Sequence, residues 1–190
     1  MTGNVGHHMA ACRTVRSVER ASRGETMISK TMQDALNTQV NLEQYSAQLY
    51  LAMSAHCDSS SFKGFAHWFR VQAAEEAAHA MKLIDFILNR NGRLELQTIA
   101  APPRDFGGVI QAFEKTLEHE KGVTGRINAL FEMARAEKDH ASEITLQWFV
   151  SEQVEEESNV GQILDHLRAV GDKGGGIWYL DSKMGKRGKD

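Results

Sequence analysis

The chain has few of the residues that interrupt helices. Its 190 residues include two prolines, Pro102 and Pro103, and these are adjacent. Long stretches are therefore free of the ring that breaks a helical hydrogen-bond ladder. Only two cysteines occur, Cys12 and Cys57, with no partner spacing for a zinc knuckle or a redox pair. That scarcity fits a reducing compartment and a cytoplasmic placement. No apolar run approaches the roughly 20 residues a bilayer span needs, so membrane partnership is not expected. A formal charge of −3 and the lack of a sustained basic stripe exclude an electrostatic nucleic-acid binder. Residues 1–26 lack both an apolar signal core and periodicity. They read as a disordered extension, with a transit peptide as the alternative raised by Arg13, Arg16, Arg20 and Arg23.

What remains is dominated by good helix formers. Periodicity predicts four long helices, at about Ile28–His56, Ser61–Arg90, Phe106–Glu137 and His140–Val170. Ser60 or Ser61, Asp105 and Asp139 are the expected N-caps of the second, third and fourth. "GDKGGG" then breaks the chain before a short amphipathic segment, "IWYLDSKMG", and residues 186–190 are expected to form a flexible tail. The first and last connections are short, which predicts two antiparallel hairpins. The middle connection, "RLELQTIAAPPRDF", is long enough to return along a whole helix. The fold class is therefore all-α. It is a four-helix bundle in one domain, 27–185, with one long crossover and a short fifth helix.

Steps of three and four keep to one helix face. Along the first helix they give Leu36, Val40, Glu43, Ala47 and Tyr50. Along the second they give Phe62, Phe65, Phe69, Gln72, Glu76, His79, Leu83 and Phe86. The third stripe is Phe106, Val109, Phe113, Leu117, Glu120, Thr124, Ile127 and Phe131. The fourth is Leu146, Phe149, Gln153, Glu156, Val160, Ile163 and Leu167. Each apolar stripe thus carries an acid at its middle. At ~1.5 Å per residue the acids within each hairpin lie at matching height. One such glutamate is ordinarily an edge residue or half of a salt bridge. Four at one depth, with no Lys or Arg on the stripes, would each cost several kcal/mol unless compensated. Bound cations are the natural compensation. Two divalent ions balance four carboxylates, and oxygen ligands with one imidazole suit iron or manganese. Glu76 and His79, one turn apart, can reach the same ion.

Taken together, "NLEQYSAQLYLAMSAHC", "AEEAAHAMKL", "RINAL" and "LQWFVSEQVEEES" resemble the ferritins, and most of all the haem-free ferritins of bacteria and archaea. The resemblance runs from about Met27 to Gly185. It implies an iron-storage protein with ferroxidase activity, oxidising Fe(II) with O2 or H2O2 at an intrasubunit di-iron centre. The ferric mineral would be deposited inside a hollow homo-oligomeric shell of 24 subunits. By the same resemblance Glu43, Glu76 and His79 hold one iron. Glu76 bridges to a second held by Glu120 and Glu156, with Gln153 beside it. Tyr50 and Trp148 match aromatic residues near the centre. Glu75, Glu152 and Glu155 match an accessory third iron site; their alternative is a solvated acidic face.

The departures are informative. Where a symmetric centre has Glu-x-x-His on the fourth helix, this chain has Gln153-Val154-Glu155-Glu156. An amide in place of an anion and a missing imidazole predict a loosely held second iron. Ala77 stands where haem-binding relatives have their ligating methionine, so haem is not expected, and Met53 reads as a core or interface residue. Two competing functions follow from the same fold: a di-iron oxygenase acting on an organic substrate, and a silent structural subunit. The oxygenase needs tightly retained metals, and the silent subunit lacks the acids found here. Gly122 and Gly125 weaken the third helix with no functional reason in the sequence.

Overall fold

The computed structural model describes residues 27–188, and the expectation for residues 1–26 lies outside them. The described residues form five α-helices and no strand. They are α1 (Lys30–Ser59), α2 (Lys63–Asn89), α3 (Val109–Glu137), α4 (His140–Val170) and α5 (Gly175–Met184).

Contacts at one end of the bundle fix the helix directions. Ser29 caps α1 by accepting from the Met32 N–H, and its hydroxyl donates to Glu137 at the end of α3 (2.7 Å). Arg90, just past α2, pairs with Asp139, which also caps α4 through the Ser142 N–H. The starts of α1 and α4 therefore meet the ends of α3 and α2. Helices α1 and α2 are antiparallel, α3 and α4 likewise, and α2 runs parallel to α3.

The parallel pair requires the chain to travel back along the bundle between Asn89 and Val109. Three α1 residues four apart guide it. Gln33 accepts from the Arg93 N–H (2.7 Å). Asn37 donates to the Arg93 carbonyl (2.9 Å) and accepts from the Glu95 N–H (2.8 Å). Asn41 donates to the Thr98 carbonyl (3.2 Å). This amide ladder gives part of an extended segment the backbone partners that a sheet would otherwise supply.

Two expected helix starts are corrected. Ser60 and Ser61 do not cap α2. The Ser60 N–H bonds back to His56 and Cys57, and Ser61 adopts a left-handed conformation at φ 68°, so both end α1, which continues past His56 to Ser59. Helix α2 begins at Lys63 without a side-chain cap. Asp105 does not cap α3. It closes a tight turn onto the Gly107 N–H (2.9 Å), and α3 begins at Val109 after Gly108, whose N–H donates to Gln111.

Most stripe positions are buried, while Ala47, Phe62, Phe86, Leu117, Thr124 and Phe131 lie half-buried at the margins. The apolar interior forms two separate clusters. One gathers Tyr50, Phe65, Phe69 and Phe113 with Leu180 from α5; the other gathers Leu36, Leu83, Ile127 and Leu146. At ~1.5–3 kcal/mol per fully buried large side chain, these clusters supply the main drive for bundle formation. Between them, at mid-helix, lie the buried glutamates of all four long helices.

Candidate metal centre

Glu43, Glu76, Glu120 and Glu156 each expose 4 % or less of their surface, and His79 exposes 7 %. One helix supplies each acid: α1, α2, α3 and α4 in turn. A carboxylate oxygen of Glu43, one of Glu76 and a ring nitrogen of His79 all lie within 4.8 Å of one another. Among the described residues this is the one group of three or more His, Cys, Asp or Glu side chains gathered so closely. His79 Nδ1 stands 3.4 Å from Glu76 Oε2, the spacing that one turn of α2 dictates. The imidazole is steadied edge-on by Trp148 and Phe149, at 5.3 and 6.0 Å between ring centres.

The other half of the layer is held more openly. The Tyr50 hydroxyl donates to Glu120 Oε1, and the Gln153 amide donates to Glu120 Oε2 at 3.1 Å. Gln72 donates to Glu156 Oε1 at 2.8 Å and to Glu76 Oε1 at 3.1 Å. Glu43 receives its hydrogen bond from Gln39, one turn earlier on α1 (2.8 Å). Among the described residues Glu156 Oε2 alone is a buried side-chain polar atom with no partner.

Among the described residues no Lys or Arg pairs with these four acids, and the electrostatic consequence is large. Burial, followed by the charge of Glu76, pushes Glu43 from 4.5 up to about 8. Burial pushes Glu156 to about 7, with Glu120 adding to it. Glu76 and Glu120 are also raised, chiefly by burial; repulsion from Glu120 adds to the rise at Glu76, and from Glu43 at Glu120. The Tyr50 phenol is held neutral by burial and by the same acids. Acids that cannot all ionise together are what a divalent cation relieves. The donor set of carboxylate oxygens, one imidazole and an orphaned carboxylate oxygen fits iron better than a thiolate-seeking metal.

The residues expected at a third site are not drawn into one group. Glu75 is half-buried and ion-paired with Arg187. Glu152 approaches His79 Nε2 at 3.8 Å, and Glu155 is exposed.

Three participants carry no clear signal in the sequence. Gln72 lies on the inward stripe, but an uncharged amide there suggests no role until its two carboxylate partners are seen. Arg187 reaches Gln72 from 115 residues away, which no local pattern reveals. His119, beside Glu120, bonds Ser46 at 2.7 Å across the α1–α3 seam; burial, then the Arg126 charge, lowers it to about 4.

A mid-bundle layer of four glutamates and a histidine, on helices joined by one long crossover, is the arrangement of the carboxylate metal proteins of the four-helix class. Comparison with known proteins narrows the class. Residues 33–170 match the ferritin family, described as a ferritin-like domain. A bacterial non-haem ferritin of Bacteroides fragilis is 40 % identical over 161 residues, covering 85 % of this chain and all of that one. One from Staphylococcus aureus is 38 % identical, covering 85 % of this chain and 97 % of that one. The crystal structure of an open-pore ferritin from Archaeoglobus fulgidus superposes with a TM-score of 0.83 at 46 % identity. That match covers 84 % of this chain and 99 % of the other. A humanised archaeal ferritin matches equally well in TM-score, at 47 % identity, covering 84 % of this chain and 97 % of that one. The chain belongs to the ferritin family.

Proposed function

We propose that the protein is an iron-storage ferritin whose buried carboxylate layer is a ferroxidase centre, with Fe(II) as its substrate. The observation that carries this reading is the close approach of Glu43, Glu76 and His79 inside an otherwise apolar bundle. These three hold the first Fe(II). Glu76, whose Oε1 shares the Gln72 amide with Glu156, also serves a second Fe(II), which Glu120 and Glu156 receive, with the Gln153 amide beside them. Tyr50 orients Glu120 through its hydroxyl.

Two adjacent Fe(II) ions each give up one electron. The pair of electrons, with two protons, reduces O2 to H2O2, or reduces H2O2 to two waters. The protons expelled from the glutamates as Fe(II) binds are available on the spot. The bridging carboxylate keeps the donors adjacent, so both electrons can pass to one acceptor. The second position has an amide where a further anion would bind more firmly, which supports oxidised iron leaving rather than staying as a fixed cofactor. Glu152 and Glu155, with Glu75 held by Arg187, are the side chains an accessory third iron site would use. The product collects as ferric mineral within a closed shell of copies of this chain, in the cytoplasm.

The direct test is anaerobic Fe(II) loading followed by oxygen. Wild-type protein is expected to oxidise about two irons per chain in a fast phase, as a two-metal site requires. Glu76→Ala removes the ligand common to both positions and should abolish that phase. A Glu76→Ala protein that still oxidises iron at the wild-type rate would remove this centre from the reaction.

A further inference from the structure

Past α5 the chain turns back along α2. The turn is closed by the Lys186 N–H on the Lys183 carbonyl (3.1 Å) and by the Arg187 N–H on Met184 (3.4 Å). His67 Nε2 lies 2.9 Å from the Arg187 carbonyl, and the guanidinium lies 4.5 Å over the Trp68 ring. One arm of that guanidinium pairs with Glu75; the other donates to Gln72 Oε1 at 2.8 Å. The position is supported from behind by α5, which is docked through Asp181 accepting from the Phe65 N–H (2.8 Å).

Gln72 is 1 % exposed and has only two ends to offer. A guanidinium has donors and no acceptor, so it fixes the carbonyl end of the amide. The NH2 end is then forced toward Glu76 and Glu156, where it donates to one oxygen of each. At Glu156 this occupies Oε1 and leaves Oε2 as the buried oxygen with no partner. The tail thus reaches the metal layer through a single amide.

We infer that Arg187 is a positioning residue: by fixing the Gln72 amide it presents the free oxygen of Glu156 to the second metal position. The inference rests on the ferroxidase reading for what occupies that position, but the geometry it describes exists without metal. Arg187 touches none of the four acids at mid-bundle. Its charge is matched by Glu75, so the pair brings little net field to the centre. Its effect falls mainly on the second position, because the relay touches the first only through the shared Glu76 and reaches neither Glu43 nor His79.

The test uses Arg187→Met, which keeps the aliphatic stem over Trp68 and removes every donor. Anaerobic calorimetric titrations with Zn(II) and with Fe(II) should leave the first site, which the relay touches only through Glu76, within a few-fold of wild type. The second site should bind about 10- to 100-fold more weakly, the range typical for loss of a residue that orients a metal ligand. Arg187→Lys should recover part of the loss, since an ammonium can hold the Gln72 carbonyl but does not present a rigid fork. Gln72→Leu should reproduce the loss, and adding Arg187→Met to it should cost nothing further, because both act through one link. In metal-free crystals of Arg187→Met, the Glu156 carboxylate should rotate from its wild-type position. Unchanged or tighter second-site binding, equal weakening at both sites, additive losses in the double variant, or a Glu156 that stays in place would each overturn the inference. A wild-type protein that binds no pair of metals would strike the ferroxidase reading instead, and the metal-free crystals would still decide the role of Arg187.

Discussion

Glu43 and Glu156 illustrate how burial without a countercharge ties the protonation of a side chain to folding. Each is buried with one amide donor and no cation, and each is shifted upward, Glu43 to about 8 and Glu156 to about 7 from a starting value of 4.5. The folded metal-free protein therefore binds more protons than the unfolded chain between 4.5 and the shifted values. These two groups stabilise the fold fully below 4.5, and their contribution is lost as pH rises through about 7 and about 8. His119 acts in the opposite sense. Lowered from 6.5 to about 4, its contribution is present above 6.5 and lost as pH falls toward 4. Between 4.5 and 6.5 the two kinds of group oppose each other; above 6.5 the acids decide the sign. The thermal midpoint of metal-free protein should accordingly fall as pH rises from 6.5 past 8. Scanning calorimetry should show that slope flattened in Glu43→Gln and in Zn(II)-loaded protein. Metal binding at pH 7 should release protons, read from the dependence of binding heat on buffer ionisation. A midpoint that rises over this interval would mean the acids are already compensated.

At the scale of the helix, two kinds of glycine predict opposite outcomes. A Cβ on Gly64 would lie 1.6 Å from the Asp181 carbonyl oxygen, so only glycine lets α5 seat against the start of α2. Gly64→Ala should destabilise by ~1–3 kcal/mol, as overpacking does, and should loosen the segment that carries Arg187. A Cβ on Gly122 or Gly125 meets nothing within 4 Å. Alanine there should stabilise α3 by up to ~1 kcal/mol each. Denaturation midpoints separate the cases, and a loss of stability at Gly122 or Gly125 would reveal a second copy packed on that face. The same elements show what could be read before the structure. Helix number, direction and the mid-helix acids followed from the scarcity of proline, the lengths of the connections and the period of the stripes. Helix starts were misread at Ser60, Ser61 and Asp105 because a capping side chain is equally suited to a turn. In these places the backbone kinks at Ser61 and Gly107 chose the turn. The amide ladder Gln33, Asn37 and Asn41 has no local signal in the sequence, since its partners are carbonyls and N–H groups 56 or more residues away.

For the whole molecule, the decisive fact is that one 21.2 kDa bundle has no interior in which to keep a mineral. Its buried glutamate layer lies between two apolar clusters of packed side chains. Storage therefore requires copies arranged around a common cavity, and the surface carries apolar groups suited to such contacts. Tyr179 on α5 is 63 % exposed, and Leu51, Met81 and Ile144 are each more than half exposed. If α5 meets its copies around a symmetry axis, one substitution is repeated at every contact. Tyr179→Glu would then bring several like charges together where apolar surface should be buried, and a closed symmetric assembly amplifies that fault. Wild-type protein should sediment near 500 kDa, the mass of about 24 chains. Tyr179→Glu should sediment as smaller species. Those species should still bind two metals per chain, because the centre lies within one bundle. They should fail to keep oxidised iron in solution, and ferric precipitate should form at iron loads the wild type holds clear. A Tyr179→Glu protein that stays assembled would remove α5 from the contact. A wild-type protein that is monomeric and yet retains many irons per chain would break the link between storage and enclosure.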